Sequence, residues 1–274
     1  LRDGIRSILT NVLKCPVGSI VDRLFMDTST KRLQKDISLY RACRHRLFDR
    51  ILLHTHAAEK HVSQFNPTDV DTNIVPEPST IESSSKSKHK ARENIGISAD
   101  AEVLLFFGGL RKEKGIKFLL ESLVQYNGPE FTLLIAGPEG SVSKEDILSY
   151  QTRVDINLIL RAEYIHNTTD YFISADAVVC PYNTEFGDER TSHVFQEAIN
   201  SRRPVICPSF GSFERRLMEY NLGMLYTPGS SDSINTCIQK FFNSPTSNYS
   251  QSDMDAFSEK HSFINLTETL VDAY

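Results

Sequence analysis

The stretch Glu102 to Tyr126, "EVLLFFGGLRKEKGIKFLLESLVQY", decides the fold. Its run Val103 to Phe107 is apolar throughout and too short for a helix, which is how a strand covered on both faces reads. Two glycines and several cations interrupt it, and the amphipathic "IKFLLESLVQY" follows at helical spacing. The unit then recurs. "FTLLIAG" leads into "PEGSVSKEDILSY", "ADAVVCPY" leads into a loop and "HVFQEAINS", and "RPVICPS" comes after. Apolar strands alternating with helices predict an α/β domain with a doubly wound, Rossmann-type parallel sheet.

Outward from this repeat the chain changes character. Ile81 to Lys90, "IESSSKSKHK", is polar and turn-rich, which predicts a linker over 81–94 between a first α/β domain at 1–80 and the repeated domain at 95–250. A last helix is expected within 251–274, packing back on the first domain. Lys31 to Arg50 carries seven Lys/Arg around Leu33, Ile37, Tyr40 and Leu47, the pattern of a basic amphipathic helix suited to peripheral contact with an anionic membrane face. "RILLHTH" after it reads as a buried strand, and "NIVPEPS" ends regular structure with two prolines.

Composition narrows the function. With 40% hydrophobic residues in 274, the chain is folded rather than disordered, and its apolar runs fall far short of the ~20 residues that cross a bilayer. No secretory leader is visible. Five cysteines, at 15, 43, 180, 207 and 237, form no metal-ligand pair and no disulfide framework, so no metal is expected and a reducing cytoplasm fits. Net charge is −5, divided as +6 over residues 1–60 and −11 beyond, so the two parts are expected to meet different partners, nucleic acid not among them.

In open parallel sheets ligands bind at the carboxyl ends of strands, and there the sequence concentrates its chemistry. Gly108, Gly109, Arg111, Lys112 and Lys114 follow the first strand; Gly137 and Gly140 follow the second; Glu185, Glu189, Thr191 and Ser192 follow the third. Glycines let backbone amides approach a phosphate, and Arg111 and Lys114 add full charges. Neither G-x-x-x-x-G-K-[ST] nor G-x-G-x-x-G is present, which disfavours a nucleotide hydrolase and a nicotinamide enzyme. In "ERTSHVFQEA", a helix beginning at His193 turns Val194, Phe195, Ala198 and Ile199 inward and His193, Glu197 and Asn200 outward, with Thr191 or Ser192 as its cap. A carboxylate can accept from two vicinal ribose hydroxyls, and a second one can hold a sugar's hydroxyls or steady positive charge at a reacting anomeric carbon.

These segments resemble the nucleotide-binding half of retaining GT-B glycosyltransferases of family 4. "ERTSHVFQEA" is similar to that family's Glu, seven residues, Glu, Ala; "FFGGLRKEKG" is similar to its strand, Gly, Arg, Lys-Gly segment at Gly108, Arg111, Lys114 and Gly115. "LLIAGPEG", "YIHNTTDYFISADAVVCPY" and "RRPVICPSFGSFERRLMEYNLGMLYTPG" run in the family's order, so the likeness spans about Ile95 to Gly229. The resemblance implies transfer of a sugar from a nucleoside diphosphate to a glycan, lipid or small-molecule acceptor, with configuration retained and no cofactor. It implies Arg111 and Lys114 at the diphosphate in a metal's place, with Glu189 on the donor sugar and Glu197 on ribose. The backbone after Ser192 would meet phosphate with His193 beside it, and Tyr164 and Ile165 would lie near the base.

The chain also departs from that pattern. Ser192 stands where the family usually has glycine, its hydroxyl expected to donate to phosphate instead, and "GSF" at Gly211 lacks a second glycine. A register beginning at Glu185 would put His193 at the second acidic position; Glu189 also places Ala198 correctly. The first 80 residues are short for an acceptor domain and show neither its glycine-rich loop nor its catalytic histidine, His54 and His56 being expected as strand-end polar groups. The chain is therefore expected to be a fragment with a truncated second domain, inactive alone. The alternatives are a noncatalytic nucleotide-sugar-binding module and a GT-B sugar-nucleotide epimerase.

Overall fold

The computed structural model describes residues 30–79 and 86–273. Residues 1–29 and 80 of the expected first domain, Cys15 among them, and 81–85 of the expected linker lie outside the described residues. The chain divides into two units, Leu1–Val75 with Ala273–Tyr274, and Pro76–Asp272.

In the first unit the elements are α1 (Thr30–Arg44), β1 (Arg50–Leu53), α2 (His56–Ser63) and β2 (Asp71–Ile74). β1 and β2 pair in parallel from Arg50 opposite Asp71 to Leu53 opposite Ile74. Parallel strands need a crossover, and α2 supplies it, opened by Thr55 accepting from the Ala58 amide. The basic helix expected over 31–50 ends at Arg44. Arg46 adopts φ 47°, which a helix cannot continue, and Leu47 is exposed. His54 Nδ1 lies 3.1 Å from the Val75 carbonyl, and His61 Nε2 lies 3.0 Å from the buried Asp36 carboxylate. His56 reaches Glu59 at 3.4 Å. These imidazoles are engaged in local structure.

The second unit contains α3 (Lys88–Ile95), β3 (Val103–Phe107), α4 (Ile116–Leu123), β4 (Thr132–Ala136), α5 (Lys144–Leu148) and β5 (Asn157–Arg161). It continues through α6 (Thr168–Ser174), β6 (Ala177–Val179), α7 (His193–Asn200), β7 (Val205–Pro208), α8 (Gly211–Glu219), β8 (Gly223–Tyr226) and α9 (Ser231–Asn243), with α10 (Gln251–Lys260) and α11 (Phe263–Ala273) last. Its six strands form one parallel sheet in the order β5-β4-β3-β6-β7-β8. Side chains alternate between two cores. Leu104, Phe106, Leu133 and Ile135 enter one; Val103, Leu105, Leu134 and Ala136 enter the other. The central strands β3 and β4 are buried on both faces because helices cover both, whereas the edge strands β5 and β8 are only half-buried.

Two sequence expectations change here. Residues 88–95, placed in the linker, form α3, capped by Ser87 and ended by Gly96 at φ 72°. Their polarity misled because the charges are used inside: buried Arg92 donates to the Ser174 carbonyl at 3.0 Å and to Asp176 at 2.8 Å, and Lys86 pairs with Asp170. The C-terminal segment is two helices rather than one. Met254 and Phe257 of α10 are buried in the second unit's core against Phe195 of α7.

The order of strands reverses between β3 and β6. At such a switch point the loops leaving neighbouring strands part and open a crevice, which is where open α/β sheets hold ligands. The loops after β3 and β6 are the two that the sequence loads with cations and carboxylates.

Candidate nucleotide-sugar site

β3 ends at Phe107 and the chain turns through Gly108 at φ 101°, its amide bonded to the Ala136 carbonyl. Gly137, at φ 147°, stands against it so closely that a Cβ there would come 2.2 Å from the Gly108 carbonyl oxygen. Only glycine permits this contact. After Gly109, Arg111 precedes a single 3₁₀ turn, Lys112–Lys114, that folds Lys114 back over the strand end. A Cβ on Gly108 would lie 2.4 Å from Lys114 Nζ and 3.7 Å from Val194 Cγ2, so the ammonium rests on the first turn's glycine beside the start of α7.

Lys114 is 8% exposed, its Nζ 5.6 Å from the Tyr182 ring centroid. Burial lowers its pKa from the ordinary lysine value, and the charges of Arg111 and Arg190 push the same way against Cys180 and Glu113. Three cations thus bear on one place, and an anion bound there would relieve both the desolvation and the mutual repulsion. Arg111 is half exposed, its Nε 3.3 Å from Glu113. Arg190 was not singled out in the sequence. Its guanidinium lies 4.3 Å above the Phe186 ring, and its carbonyl accepts from Ser212 at 3.0 Å.

Ser192 is the cap of α7, resolving the choice left with Thr191: it is 4% exposed, accepts from the Phe195 amide at 3.4 Å and contacts the Tyr182 hydroxyl at 3.2 Å. Its oxygen accepts from the helix amide, and in the contact with Tyr182 either hydroxyl can be the donor. What the helix start offers outward is the N–H of His193 and Val194, with its partial positive charge. Val194, Phe195, Ala198 and Ile199 are buried, His193 is exposed, and Glu197 and Asn200 are half-buried, as the helical projection placed them. Gln196 is buried as well, which the projection did not foresee.

Glu189 is half-buried in the loop before Ser192. Ile165 packs against the core that holds Val194 and Phe195, whereas Tyr164 is exposed with its ring edge-on to His166 at 4.9 Å. At the opposite, amino ends of β3, β4 and β5, a hollow is lined by Glu102, Glu130, Thr132 and Asp155 among others. Its three carboxylates and lack of a lining cation make it unfit for a diphosphate. Among the described residues, no three His, Cys, Asp or Glu side chains gather as a metal site would require, and no helix is long and apolar enough to cross a membrane.

Behind α7 lies a polar group in an otherwise apolar setting. Glu77, its side chain 8% exposed, places Oε1 3.5 Å from His193 Nε2 and Oε2 3.7 Å from the Arg216 guanidinium. Gln196 Nε2 lies 3.4 Å from Glu77 Oε2, and with the amide turned over its carbonyl would accept from both terminal nitrogens of Arg216, at 3.0 and 3.2 Å. Arg216 lies 5.3 Å from the Phe195 ring and 5.7 Å from the Phe257 ring. His261 stacks on Phe257 at 4.2 Å, its Nδ1 buried without a partner.

Burial pushes the His261 pKa down from 6.5 to about 4, and the Arg216 charge adds to the effect. Between these values the unfolded chain binds a proton that the folded chain does not, so stability falls as pH drops through that window. The loss from this one group is expected to approach about 3 kcal/mol near pH 4. Urea unfolding of the wild type and His261→Phe at pH 7 and pH 4.5 checks this. Equal pH dependence in the two proteins would contradict it.

The six-stranded, doubly wound parallel sheet with the small two-stranded sheet before it in the chain matches the fold of the GT-B glycosyltransferases. Residues 87–260 match the family "Glycosyl transferases group 1", and the chain belongs to that family. An uncharacterized glycosyltransferase of Methanocaldococcus jannaschii is 27% identical over 221 residues, covering 76% of this chain and 51% of that protein. Among solved structures, sucrose-phosphate synthase of Thermosynechococcus elongatus superposes with a TM-score of 0.63 at 17% identity, over 82% of this chain and 57% of that one. Anabaena HepE in complex with UDP superposes with a TM-score of 0.70 at 16% identity, over 94% of this chain and 75% of that one, and HepE is also solved with UDP-glucose. The chain spans about half the length of the curated relative it matches.

Proposed function

We propose that this chain carries the donor half of a retaining glycosyltransferase, which takes a hexose from a nucleoside diphosphate, UDP in the first instance. The observation that carries this reading is the seat of Lys114 Nζ over Gly108 beside Val194, where a β-strand end, two glycines and a helix start converge. Only a compact anion that accepts from backbone and side chains together matches such a place. The UDP and UDP-glucose complexes of HepE support the choice of nucleotide.

In this proposal Lys114, Arg111 and the α7 amides meet the diphosphate, His193 flanks it, and Gly108, Gly109 and Gly137 allow the approach. Glu197 holds the ribose, Glu189 the sugar hydroxyls, and Ile165 with Tyr164 the base. As the bond from anomeric carbon to diphosphate oxygen breaks, its electron pair leaves with the phosphate, and the fixed cations stabilise that charge. The acceptor hydroxyl oxygen then bonds to the anomeric carbon on the same face, and its proton passes to the departing diphosphate oxygen. The acceptor is supplied against the other half of the protein, so the 274-residue chain alone is expected to bind donor without transferring it.

Glu197→Ala is expected to weaken UDP binding by ~1.5–3 kcal/mol, the range for hydrogen bonds to a charged group, without unfolding the chain, because the side chain lies on the polar side of α7. Calorimetry with UDP and its 2′,3′-dideoxy analogue tests the assignment. Equal losses for both ligands would rule out a ribose contact, and no UDP binding by the unmodified chain would overturn the function itself.

A further inference from the structure

Glu77 takes no part in the chemistry just described, yet it is a buried carboxylate next to a crevice that should hold an anion. Direct contact with a diphosphate is excluded by charge, since two anions in a site of low dielectric repel strongly. We propose that Glu77 is a positioning residue of the donor site, acting through His193 on the first turn of α7; the inference rests on the donor reading above.

The geometry gives the carboxylate two ends with different tasks. Glu77 stands between Pro76 and Pro78, whose rings restrict the backbone that presents it. One oxygen faces Arg216, whose side chain is 10% exposed and packed against the Phe195 and Phe257 rings, and lies 3.4 Å from the buried Gln196 amide. That end is an anchor. The other oxygen reaches His193 at 3.5 Å, and the His193 ring is 63% exposed, tethered on one side and open on the other. His193 is the first residue of α7, and its neighbour Val194 reaches the spot where Lys114 Nζ meets Gly108. Movement of the helix start therefore alters where phosphate would be held, while the base, on the donor reading, would lie by Ile165 on the loop after β5.

This role predicts a loss confined to the diphosphate part of the ligand, which a general packing role does not. The test is NMR titration of the 274-residue chain with UDP and with uridine. In Glu77→Gln the Kd for UDP is expected to rise about tenfold while that for uridine stays within about twofold, and Glu77→Asp should fall between. In a His193→Ala background, Glu77→Gln should add nothing further. The paired replacement Glu77→Gln/Arg216→Met leaves no lone buried charge, so it carries the same expectation should the single variant fail to fold. Equal losses for UDP and uridine, a loss that persists in the His193→Ala background, or unchanged UDP binding would each overturn the inference alone. Failure of the unmodified chain to bind UDP would overturn the donor reading and this inference with it.

Discussion

Replacing Lys114 by alanine in protein competent for transfer is expected to lower kcat by ~10²–10³, with a smaller change in donor affinity. The ammonium is 8% exposed, lies over Gly108, and shares its surroundings with Arg111 and Arg190. Such a cation is costly to keep in the absence of an anion, and it gains most when the diphosphate takes up the charge of the breaking glycosidic bond. The stabilisation is thus larger in the transition state than in the ground state, and its loss appears in turnover. Steady-state kinetics together with calorimetry of UDP binding separate the two. A variant that keeps its kcat and loses only affinity would refute the assignment, and so would turnover that a chelator abolishes while Lys114→Ala remains near wild type.

Gly115→Ala is expected to destabilise the second unit by ~2–5 kcal/mol, a large effect for one methyl group. Gly115 has φ 72°, ends the 3₁₀ turn that carries Lys114, and begins α4. A Cβ there would come 1.7 Å from the Pro181 carbonyl oxygen, which is backbone and cannot swing aside. The left-handed conformation alone costs a non-glycine residue roughly 1–2 kcal/mol. Gly96→Ala supplies the control, since Gly96 has the same φ of 72° with no atom within 4 Å of the added carbon. Urea denaturation should therefore show a clearly larger loss at Gly115 than at Gly96. Similar losses would mean that backbone strain, not close packing of the two loops, makes Gly115 necessary.

The family and the sheet were legible because the second unit's central strands are covered on both faces. Full coverage demands unbroken apolar runs, and "VLLFF" and "TLLIA" are such runs at the positions of β3 and β4. The face of α7 was legible for a similar reason: helical period alone turns Glu197 away from Phe195 and Ala198. Where charge rather than apolarity was buried, the reading failed. α3 was taken for linker because its lysines and arginine look solvated, yet Arg92 and Lys88 both find Asp176, which lies more than 80 positions further along the chain. Arg190 and Glu77 passed unnoticed for the same reason, since a charge's partner across the fold leaves no periodic trace.

By itself, then, the sequence determined four of the sheet's six strands, β3, β4, β6 and β7, the loops that leave their carboxyl ends and the side of α7 that carries Glu197, since these follow from local period and from the covalent chain. Only the tertiary structure decided which charges meet. It set Lys114 on Gly108 through a single 3₁₀ turn, made Ser192 the cap of α7, and joined Glu77 to Arg216 and His193. Period constrains which side of an element is apolar, whereas the pairing of buried polar groups depends on distances between elements far apart in the chain.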